Sequence, residues 1–262
     1  MIARSLAYIK LNYKMDYLKN LNPHERDDNI ELEEETHIYT INNKSDYTSV
    51  TTWNHSHFPK FNSDNIITLM MNGKNWKNNK YYGKSREEIK NIWEINKNEA
   101  AEAGTKMHLD IEKFYNNIIV NNKSVEFQQF LKYIDDNKNL KPYRTEWMIY
   151  DEDHKLAGSI DMVYENSDGT LEIRDWKRSK QIIRNKQYED YAMTECIKHV
   201  PNLNFWHYAL QLNTYKSIIE RRVERILQNT EKIDNTCEFY RIVAQIRKED
   251  FLEVMKVLEN SS

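Results

Sequence analysis

Two acids and a lysine fall within one short segment of the chain, residues 156–177, with the sequence LAGSIDMVYENSDGTLEIRDWK. Asp161 lies in its first half, and Asp175 and Lys177 lie at its end. Because side chains alternate along a strand, Asp175 and Lys177 share one face, which is otherwise apolar. Charges on such a face are costly to bury unless they are paired or bind a metal. The segment therefore predicts a metal site with a lysine beside it.

A β-hairpin is the element that must position these groups. Residues 166–169, Asn-Ser-Asp-Gly, separate two runs rich in Ile, Val, Met and Leu. Asp and Gly tolerate the backbone angles of a tight turn, so the segment predicts two antiparallel strands. A third strand is predicted just before them, at residues 145–150, and it carries Glu146.

A helix predicted over residues 98–117 supplies a histidine. The Ala and Glu content of this segment favours helix. Gly104, His108 and Glu112 follow at i, i+4 and i+8, so they line one face. Glycine inside a helix costs about 1 kcal/mol relative to alanine, which is tolerable where a backbone or a ligand approaches closely. His108 is open to two interpretations, a packed helix histidine or a ligand.

A basic stretch follows the hairpin, and a long helix follows the stretch. Such a stretch is either a solvated loop or, beside a carboxylate site, a phosphate-binding segment. The helix, predicted over residues 204–227, places Gln211 and Tyr215 on one face because they are four residues apart. The basic residues are Arg178, Lys180, Arg184 and Lys186.

The remaining elements are predicted from periodicity, propensity and capping signals. Residues 1–30 are predicted to form an amphipathic segment and a polar linker. Strands are predicted over 35–41 and 47–53, and together they would form a hairpin. His55 and His57 beside Pro59 are typical of a loop, with metal binding as the alternative. Helices are expected over 64–82, from a capping box at Ser85 through Trp93, and over 125–135. A last strand at 237–246 and a helix at 249–258 close the chain.

Composition excludes few functions. The chain has 262 residues, 30% of them charged, a mean hydropathy of -0.88 and a net charge of -3. No apolar run approaches the roughly 20 residues of a membrane span, so no membrane association is expected. The net charge neither indicates nor excludes nucleic-acid binding, since a local basic groove suffices.

The expected compartment is intracellular. The two cysteines, Cys196 and Cys237, form neither a metal motif nor a disulfide framework, which favours reducing surroundings. The N-terminal segment lacks the apolar core and cleavage site of a secretory signal, and Ser and Arg are sparse for a transit peptide. Cytoplasm or nucleus is therefore favoured over the mitochondrion.

The order of elements without the additions is helix, three strands, helix, strand, an α/β core with a mixed sheet. With G-x-x-x-H, then G-S-I-D, D-W-K and Q-x-x-x-Y in that order, it resembles the PD-(D/E)XK nuclease superfamily, in its RecB-like branch. The resemblance covers about residues 89–246 and includes Trp93 and the segment 49–52. It implies a restriction-endonuclease-like αβββαβ core over 89–262, with residues 1–88 as a hairpin and helices packed on that core.

Site roles also follow from the resemblance. It implies that His108, Asp161, Asp175 and the Trp176 carbonyl hold the metal, and that Lys177 orients or activates the attacking water. Gln211 and Tyr215 would support Lys177 and the scissile phosphate. Supporting roles fall to Glu146, Glu112 and Gly104, and nucleic-acid contacts to Arg178, Lys180, Arg184 and Lys186. The chain departs from the family motif at two positions. Ile160 stands where the motif has proline, and the second acid is an aspartate, Asp175.

The function expected from this resemblance is hydrolysis of phosphodiester bonds with one or two Mg²⁺ or Mn²⁺ ions. A DNA exonuclease acting on single-stranded ends in repair, recombination or replication is favoured, with proteins of those processes as partners. Most aromatic side chains are expected in the core, but some would be available to stack on single-stranded bases. The candidates are Tyr81, Tyr82, Trp76, Trp93, Trp147 and Trp206. The alternatives are an endonuclease, an RNA-cleaving enzyme, or a catalytically silent nucleic-acid-binding module.

Overall fold

The structure is a computed structural model that describes residues 15–185 and 190–222. Predictions that fall on the strand 237–246, the helix 249–258, Lys186, Cys237 and residues 1–14 lie outside the described residues. The chain separates into two compact units, Lys60–Met107 and the remainder. The predicted division into residues 1–88 and 89–262 stays a prediction. No described helix is long and apolar enough to cross a membrane.

The larger unit is built on a four-stranded sheet of mixed orientation. Its strands, numbered in chain order over the whole protein, are β3 (Thr48–Ser49), β4 (Lys141–Asp151), β5 (Leu156–Glu165) and β6 (Leu171–Arg174). β5 pairs antiparallel with β4 along its whole length. Its other edge pairs with two strands in turn, parallel with β3 at its start and antiparallel with β6 at its end.

The predicted hairpin over residues 156–177 is confirmed. The turn between β5 and β6 is closed by the Gly169 N–H, which donates to the Asn166 carbonyl at 3.0 Å. Gly169 has a φ of +81°. This angle lies in the left-handed region, which glycine adopts without strain. The strand ladder ends at Arg174, so Asp175, Trp176 and Lys177 lie just beyond β6.

The first hairpin was predicted in the wrong place. It pairs β1 (Ile30–Glu33) with β2 (Ile38–Ile41), and the predicted strand 47–53 keeps only the two residues of β3. Val50–Ser56 is instead helix α2, following the short helix α1 (Tyr17–Leu21). Ser49 explains the change, because its side chain accepts a hydrogen bond from the Thr52 N–H and so caps the helix. This cap outweighs the strand preference of Val and Thr.

The smaller unit, Lys60–Met107, is helical. Helix α3 (Ser63–Met71) and a 3₁₀ turn (Trp76–Asn78) replace the single helix expected over 64–82. Gly73 separates them, consistent with its poor helix propensity. Helix α4 (Arg86–Tyr115) then starts at the predicted capping box and continues into the larger unit. The two helices expected over this span are therefore one.

Two further helices belong to the larger unit, α5 (Val125–Asp136) and α6 (Asn204–Arg222). Helix α5 agrees with the prediction within one residue. Helix α6 packs with α2 on one face of the sheet, and apolar side chains bury this face. That core includes Trp53, Trp147, Ile160, Phe205, Leu210 and Ile218. Its place fixes which face of β5 is left for polar side chains.

The histidines near Pro59 serve this packing. His57 shares a hydrogen bond of 2.8 Å with the Thr194 hydroxyl, and the His55 ring lies 5.2 Å from the His207 ring. Neither belongs to the group of potential metal ligands found among the described residues. The predicted loop begins only at His57, so it is wrong for His55, which lies within helix α2.

Candidate metal centre

Three acids lie in one row across neighbouring strands of the sheet. Glu146 and Asp161 fall between the cross-strand pairs Thr145–Met162 and Trp147–Ile160, so they oppose each other on β4 and β5. Continuing the β5–β6 register by one position places Asp175 opposite Asp161 on the other side. Like charges directly opposite each other are destabilising. The row therefore needs cations beside it.

His108 supplies the first positive group. It projects from α4, and its Nδ1 lies 3.7 Å from Glu146 Oε1 and 3.6 Å from Asp161 Oδ2. One ligand atom from each of these three residues lies within 4.8 Å of the other two. Burial lowers the pKa of His108, but Asp161 and Glu146 outweigh it and raise that pKa to about 9. In this structure His108 is therefore an imidazolium held by two carboxylates.

Glu146 reaches the centre through an unusual backbone. Its φ is +46°. Such a left-handed angle costs a non-glycine residue about 1–3 kcal/mol and persists only where surrounding contacts impose it. One such contact is the Ser159 hydroxyl, which donates to Glu146 Oε2 at 3.0 Å. Tyr39 of β2 lies near enough to sense the Glu146 charge. Burial and this charge together raise the pKa of Tyr39 to about 12. The strain aims the carboxylate at His108.

Asp161 is fixed from the chain segment after β6. Its Oδ2 accepts a hydrogen bond of 2.6 Å from the backbone N–H of Trp176. The indole of Trp176 is itself buried, with its ring centre 5.7 Å from Phe130 and 5.4 Å from Tyr133 of α5. The anchored tryptophan thus holds the acid in place. The predicted role of its carbonyl as a metal ligand stays a prediction.

The buried Asp175 and the half-buried Lys177 form an ion pair, with 2.7 Å between Lys177 Nζ and Asp175 Oδ2. Burial and the Asp161 charge raise the pKa of Asp175 to about 7. For Lys177, burial lowers the pKa, but Asp175 and Asp161 raise it above its ordinary value. The Lys177 side chain is therefore a protonated, positively charged ammonium at neutral pH. It also lies 5.3 Å from the centre of the Tyr208 ring on α6.

Gln211 and Tyr215 are brought together as predicted. Gln211 Nε2 donates to the Tyr215 hydroxyl at 3.1 Å. The Tyr215 ring packs on Gly158, where an added Cβ would lie 2.7 Å from its Cε1. Gly158 is three residues before Asp161 and so points to the opposite face of β5. Tyr215 remains within electrostatic range, because after burial the Asp175 and Asp161 charges also raise its pKa.

The other predicted residues lie outside this group. Glu112 is buried on α4 and is not one of the three potential ligands, and a Cβ built on Gly104 meets no atom within 4 Å. Arg178 pairs with Glu126 of α5 at 2.7 Å, and Arg184 lies 4.3 Å from the Phe205 ring centre. Lys180 is exposed, as the solvated-loop and phosphate-binding interpretations both allow.

The group of potential ligands contains Glu146 where the predicted ligand set has Asp175, and the predicted set itself stays a prediction. The residues that face one another are His108, Glu146 and Asp161, whereas Asp175 is engaged by Lys177. Sequence reasoning missed Ser159 and Tyr208. Both had a signal, because Ser159 shares a strand face with Asp161, and Tyr208 lies three residues before Gln211 on a helix.

Comparisons with known proteins add no relative. No protein-family model matches the chain, no curated protein matches it, and no solved structure matches its fold. Its function is therefore inferred from the geometry and the chemistry of the site itself.

Proposed function

We propose that this protein is a divalent-metal-dependent nuclease that hydrolyses phosphodiester bonds, with DNA carrying a free single-stranded end as its substrate. One observation carries the proposal. A histidine and two carboxylates converge from three elements, with a buried aspartate paired to a half-buried lysine beside them. Metal-assisted phosphodiester hydrolysis requires acidic ligands, a group that orients water, and a positive charge near the phosphate.

The residues fit a divalent cation. His108, Glu146 and Asp161 would hold it, with the cation taking the place of the proton on His108. Their two carboxylates lie opposite each other, where a cation offsets their repulsion. Carboxylate oxygens suit Mg²⁺ and Mn²⁺, and an imidazole nitrogen favours Mn²⁺. A bound ion supplies Lewis-acid stabilisation of phosphate charge and lowers the pKa of water. Asp175, next in the row, would serve a second ion only after release from Lys177.

Lys177 is the group that acts beside the metal. Asp175 fixes its ammonium at 2.7 Å, and the Tyr208 ring limits its other side. An ammonium held this way presents N–H donors and positive charge to a phosphate oxygen or to water. We propose that Lys177 positions the attacking water and stabilises the developing charge. Gln211 and Tyr215 would hold α6 against the opposite face of β5, where the Tyr215 ring packs on Gly158.

The proposed fold is the restriction-endonuclease-like core. In support, α4 precedes the meander β4–β5–β6, and α6 follows it, with α5 as an addition between helix and sheet. This order agrees with the first five elements of an αβββαβ core. The acids occupy the strand positions that such a core would use, on the central strand and at the end of its neighbour.

Cleavage of end-labelled oligonucleotides tests the proposal. The wild-type protein is incubated with linear and circular, single- and double-stranded DNA and with RNA, in Mg²⁺, Mn²⁺ or EDTA. We expect metal-dependent loss of linear single-stranded DNA. Lys177→Ala and Asp161→Asn should each lower kcat by at least about a hundredfold, since both remove transition-state stabilisation. Lys138→Ala, a lysine whose side chain is 72% exposed and which has no place in the site, is the matched control and should leave kcat unchanged.

Each other outcome has a distinct meaning. Cutting of circular single strands shows endonuclease action, and preference for RNA identifies the alternative substrate. Binding of DNA that weakens with salt, without turnover in either metal, indicates a silent binding module. An absence of cleavage in every combination, or full activity in Lys177→Ala, contradicts the proposal.

A further inference from the structure

One stretch of the smaller unit combines positive charge with aromatic rings. Residues 72–86, NGKNWKNNKYYGKSR, contain four lysines and one arginine, three aromatic residues and no acid. The whole chain has a net charge of -3, so this stretch departs from the rest in sign. Its four lysines, Lys74, Lys77, Lys80 and Lys84, are all exposed. Local positive charge of this kind attracts a polyanion.

Rings from this stretch and its neighbours in the same unit form two groups, which the adjacent residues Tyr81 and Tyr82 join along the chain. Trp76 and Tyr82 meet edge to face with 5.9 Å between ring centres, and Tyr81 lies 6.1 Å from Trp93 of α4. Phe61 lies 6.0 Å from Trp93 on its other side. We call these five rings, with the four lysines, the aromatic–lysine surface.

Two of the rings are offered to solvent. The exposed fraction is 73% for Phe61 and 54% for Tyr82, and the other three rings are half-buried. Phe61 and Trp93 also line an open cleft of about 660 Å³, together with Lys90, Glu94 and Lys97 of the same unit. In this cleft Lys90 pairs with Asp64 and Lys97 with Glu94. Large apolar side chains that lie exposed next to a cleft are typical of a binding surface.

We propose that the aromatic–lysine surface binds single-stranded nucleic acid, with bases stacked on Tyr82 and Phe61 and phosphates paired with the lysines. Every base has a flat π-face, so stacking on exposed rings is tolerant of sequence, while lysines follow the backbone. In a duplex the bases stack on each other and offer no free face. The pairing of rings with lysines therefore selects a strand whose bases are unstacked.

An apolar protein partner fits this surface less well. Four exposed lysines with no acid in their stretch would leave uncompensated charge against an apolar partner, whereas phosphates neutralise that charge. One of these lysines lies against a ring, with Lys80 Nζ 4.8 Å from the centre of the Tyr81 ring. This inference deepens the proposed function and rests on it for the identity of the polymer. Binding is nevertheless measurable without cleavage.

Fluorescence anisotropy of the full chain in EDTA provides the test. The probes are a 30-nucleotide oligo-dT, an oligo-rU, a duplex, and an abasic strand of equal length that keeps the phosphates. We expect the oligo-dT to bind at least about tenfold more tightly than the duplex or the abasic strand, as one or two stacked bases would give. The oligo-rU arm shows whether the sugar matters.

Variants separate the two parts of the surface. Tyr82→Ala should weaken binding of oligo-dT at least about fivefold and leave the abasic strand unchanged, while Tyr82→Phe retains the wild-type affinity. Lys77→Gln with Lys80→Gln should weaken both strands. The slope of log affinity against log salt should become shallower by about 0.7 for each phosphate that the variant no longer neutralises. Matched controls are Tyr17→Ala, 45% exposed on α1, and Lys123→Gln with Lys132→Gln.

The outcomes are separable from those of the cleavage assay. Equal affinity of the Tyr82→Ala variant and the wild type for oligo-dT overturns the stacking proposal, as does equal binding of duplex and single strand. Cleavage by the wild type with unaltered binding in the surface variants would leave the nuclease in place without this surface. Binding that depends on Tyr82, with no cleavage in any metal, would retain the surface and contradict the nuclease.

Discussion

The Ser159 hydroxyl holds the Glu146 carboxylate by a hydrogen bond of 3.0 Å, and it comes from the same strand face as Asp161. A residue that orients a metal ligand typically contributes about 10–100-fold to metal affinity. We therefore expect Ser159→Ala to weaken Mn²⁺ binding about tenfold in isothermal titration calorimetry. Ser159→Thr keeps the hydroxyl and should restore most of the affinity. Unchanged affinity in Ser159→Ala would remove Ser159 from the centre.

Thermal unfolding with added metal decides which acid is the third ligand. An ion that binds only the folded state stabilises it by about 2.7 kcal/mol at a free concentration a hundred times its Kd. We expect Mn²⁺ to raise the melting temperature of the wild type but not of Glu146→Gln or Asp161→Asn. Glu126→Gln, an acid that pairs with Arg178, should respond as the wild type. Loss of the response in Asp175→Asn with retention in Glu146→Gln would restore the grouping expected from sequence.

Two glycines should respond in opposite directions to the same change. Gly158→Ala places a Cβ 2.7 Å from Tyr215 Cε1. The ring must then move, at a cost of about 1–3 kcal/mol. Gly104→Ala lies within helix α4 with open space around the new atom. This variant should be more stable by about 0.5–1 kcal/mol, because alanine favours helix over glycine. Urea unfolding measures both.

Gly104→Ala also tests the expectation that a ligand approaches this position. A more stable variant with reduced cleavage would indicate that substrate comes close to Gly104. A more stable variant with full cleavage would assign the glycine no functional part. A less stable variant would contradict the open space described at this site.

A buried ion pair ties the N-terminal region to β4. Asp27 accepts from the Arg144 guanidinium at 2.8 and 3.0 Å and from the Trp147 indole at 3.1 Å. Breaking such a pair costs about 3–5 kcal/mol, because the remaining charge is buried without compensation. We expect Asp27→Asn to lower the free energy of unfolding by about 3 kcal/mol. The control is Asp28→Asn, whose side chain is 96% exposed. It should change the free energy of unfolding by no more than about 0.5 kcal/mol.

The same pair predicts a dependence on pH. Burial raises the pKa of Asp27, but its bonds to Arg144 outweigh burial and hold that pKa below its ordinary value of 3.8. A carboxylate with a lowered pKa stabilises the folded state above the unfolded-state pKa, and this contribution is lost as pH falls through the folded-state value. Wild-type stability should therefore fall more steeply below about pH 4 than that of Asp27→Asn. Parallel pH curves would contradict this.

Local signals in the sequence located the elements that build the site, although α4 was expected as two helices. The Asn-Ser-Asp-Gly turn and the alternating strands fixed the β5–β6 hairpin, and the capping box at Ser85 marked the start of α4. The misplaced strand 47–53 shows where such signals compete. Val and Thr favour strand, but a serine cap closes one turn of helix, and the balance between them depends on packing.

Register is what the sequence did not provide. Glu146 was expected in a supporting role because nothing in its own neighbourhood shows that it opposes Asp161 across β4 and β5. The φ of +46° that aims its side chain also has no local signature, since glutamate rarely adopts it. The engagement of Asp175 by Lys177 likewise depends on distances between side chains. Contacts of this kind are set by the tertiary fold.

All three acids of the row come from a single meander, residues 146–175, whereas the imidazole arrives from a helix that precedes it in the chain. Contacts between strands joined by short turns need little loop closure, so they tend to form early. The negative half of the centre is then expected to assemble before its positive counterpart, and to repel itself until α4 docks. Cations in the refolding buffer should relieve this repulsion and so speed formation of the meander, an effect that a neutral residue at position 161 would weaken.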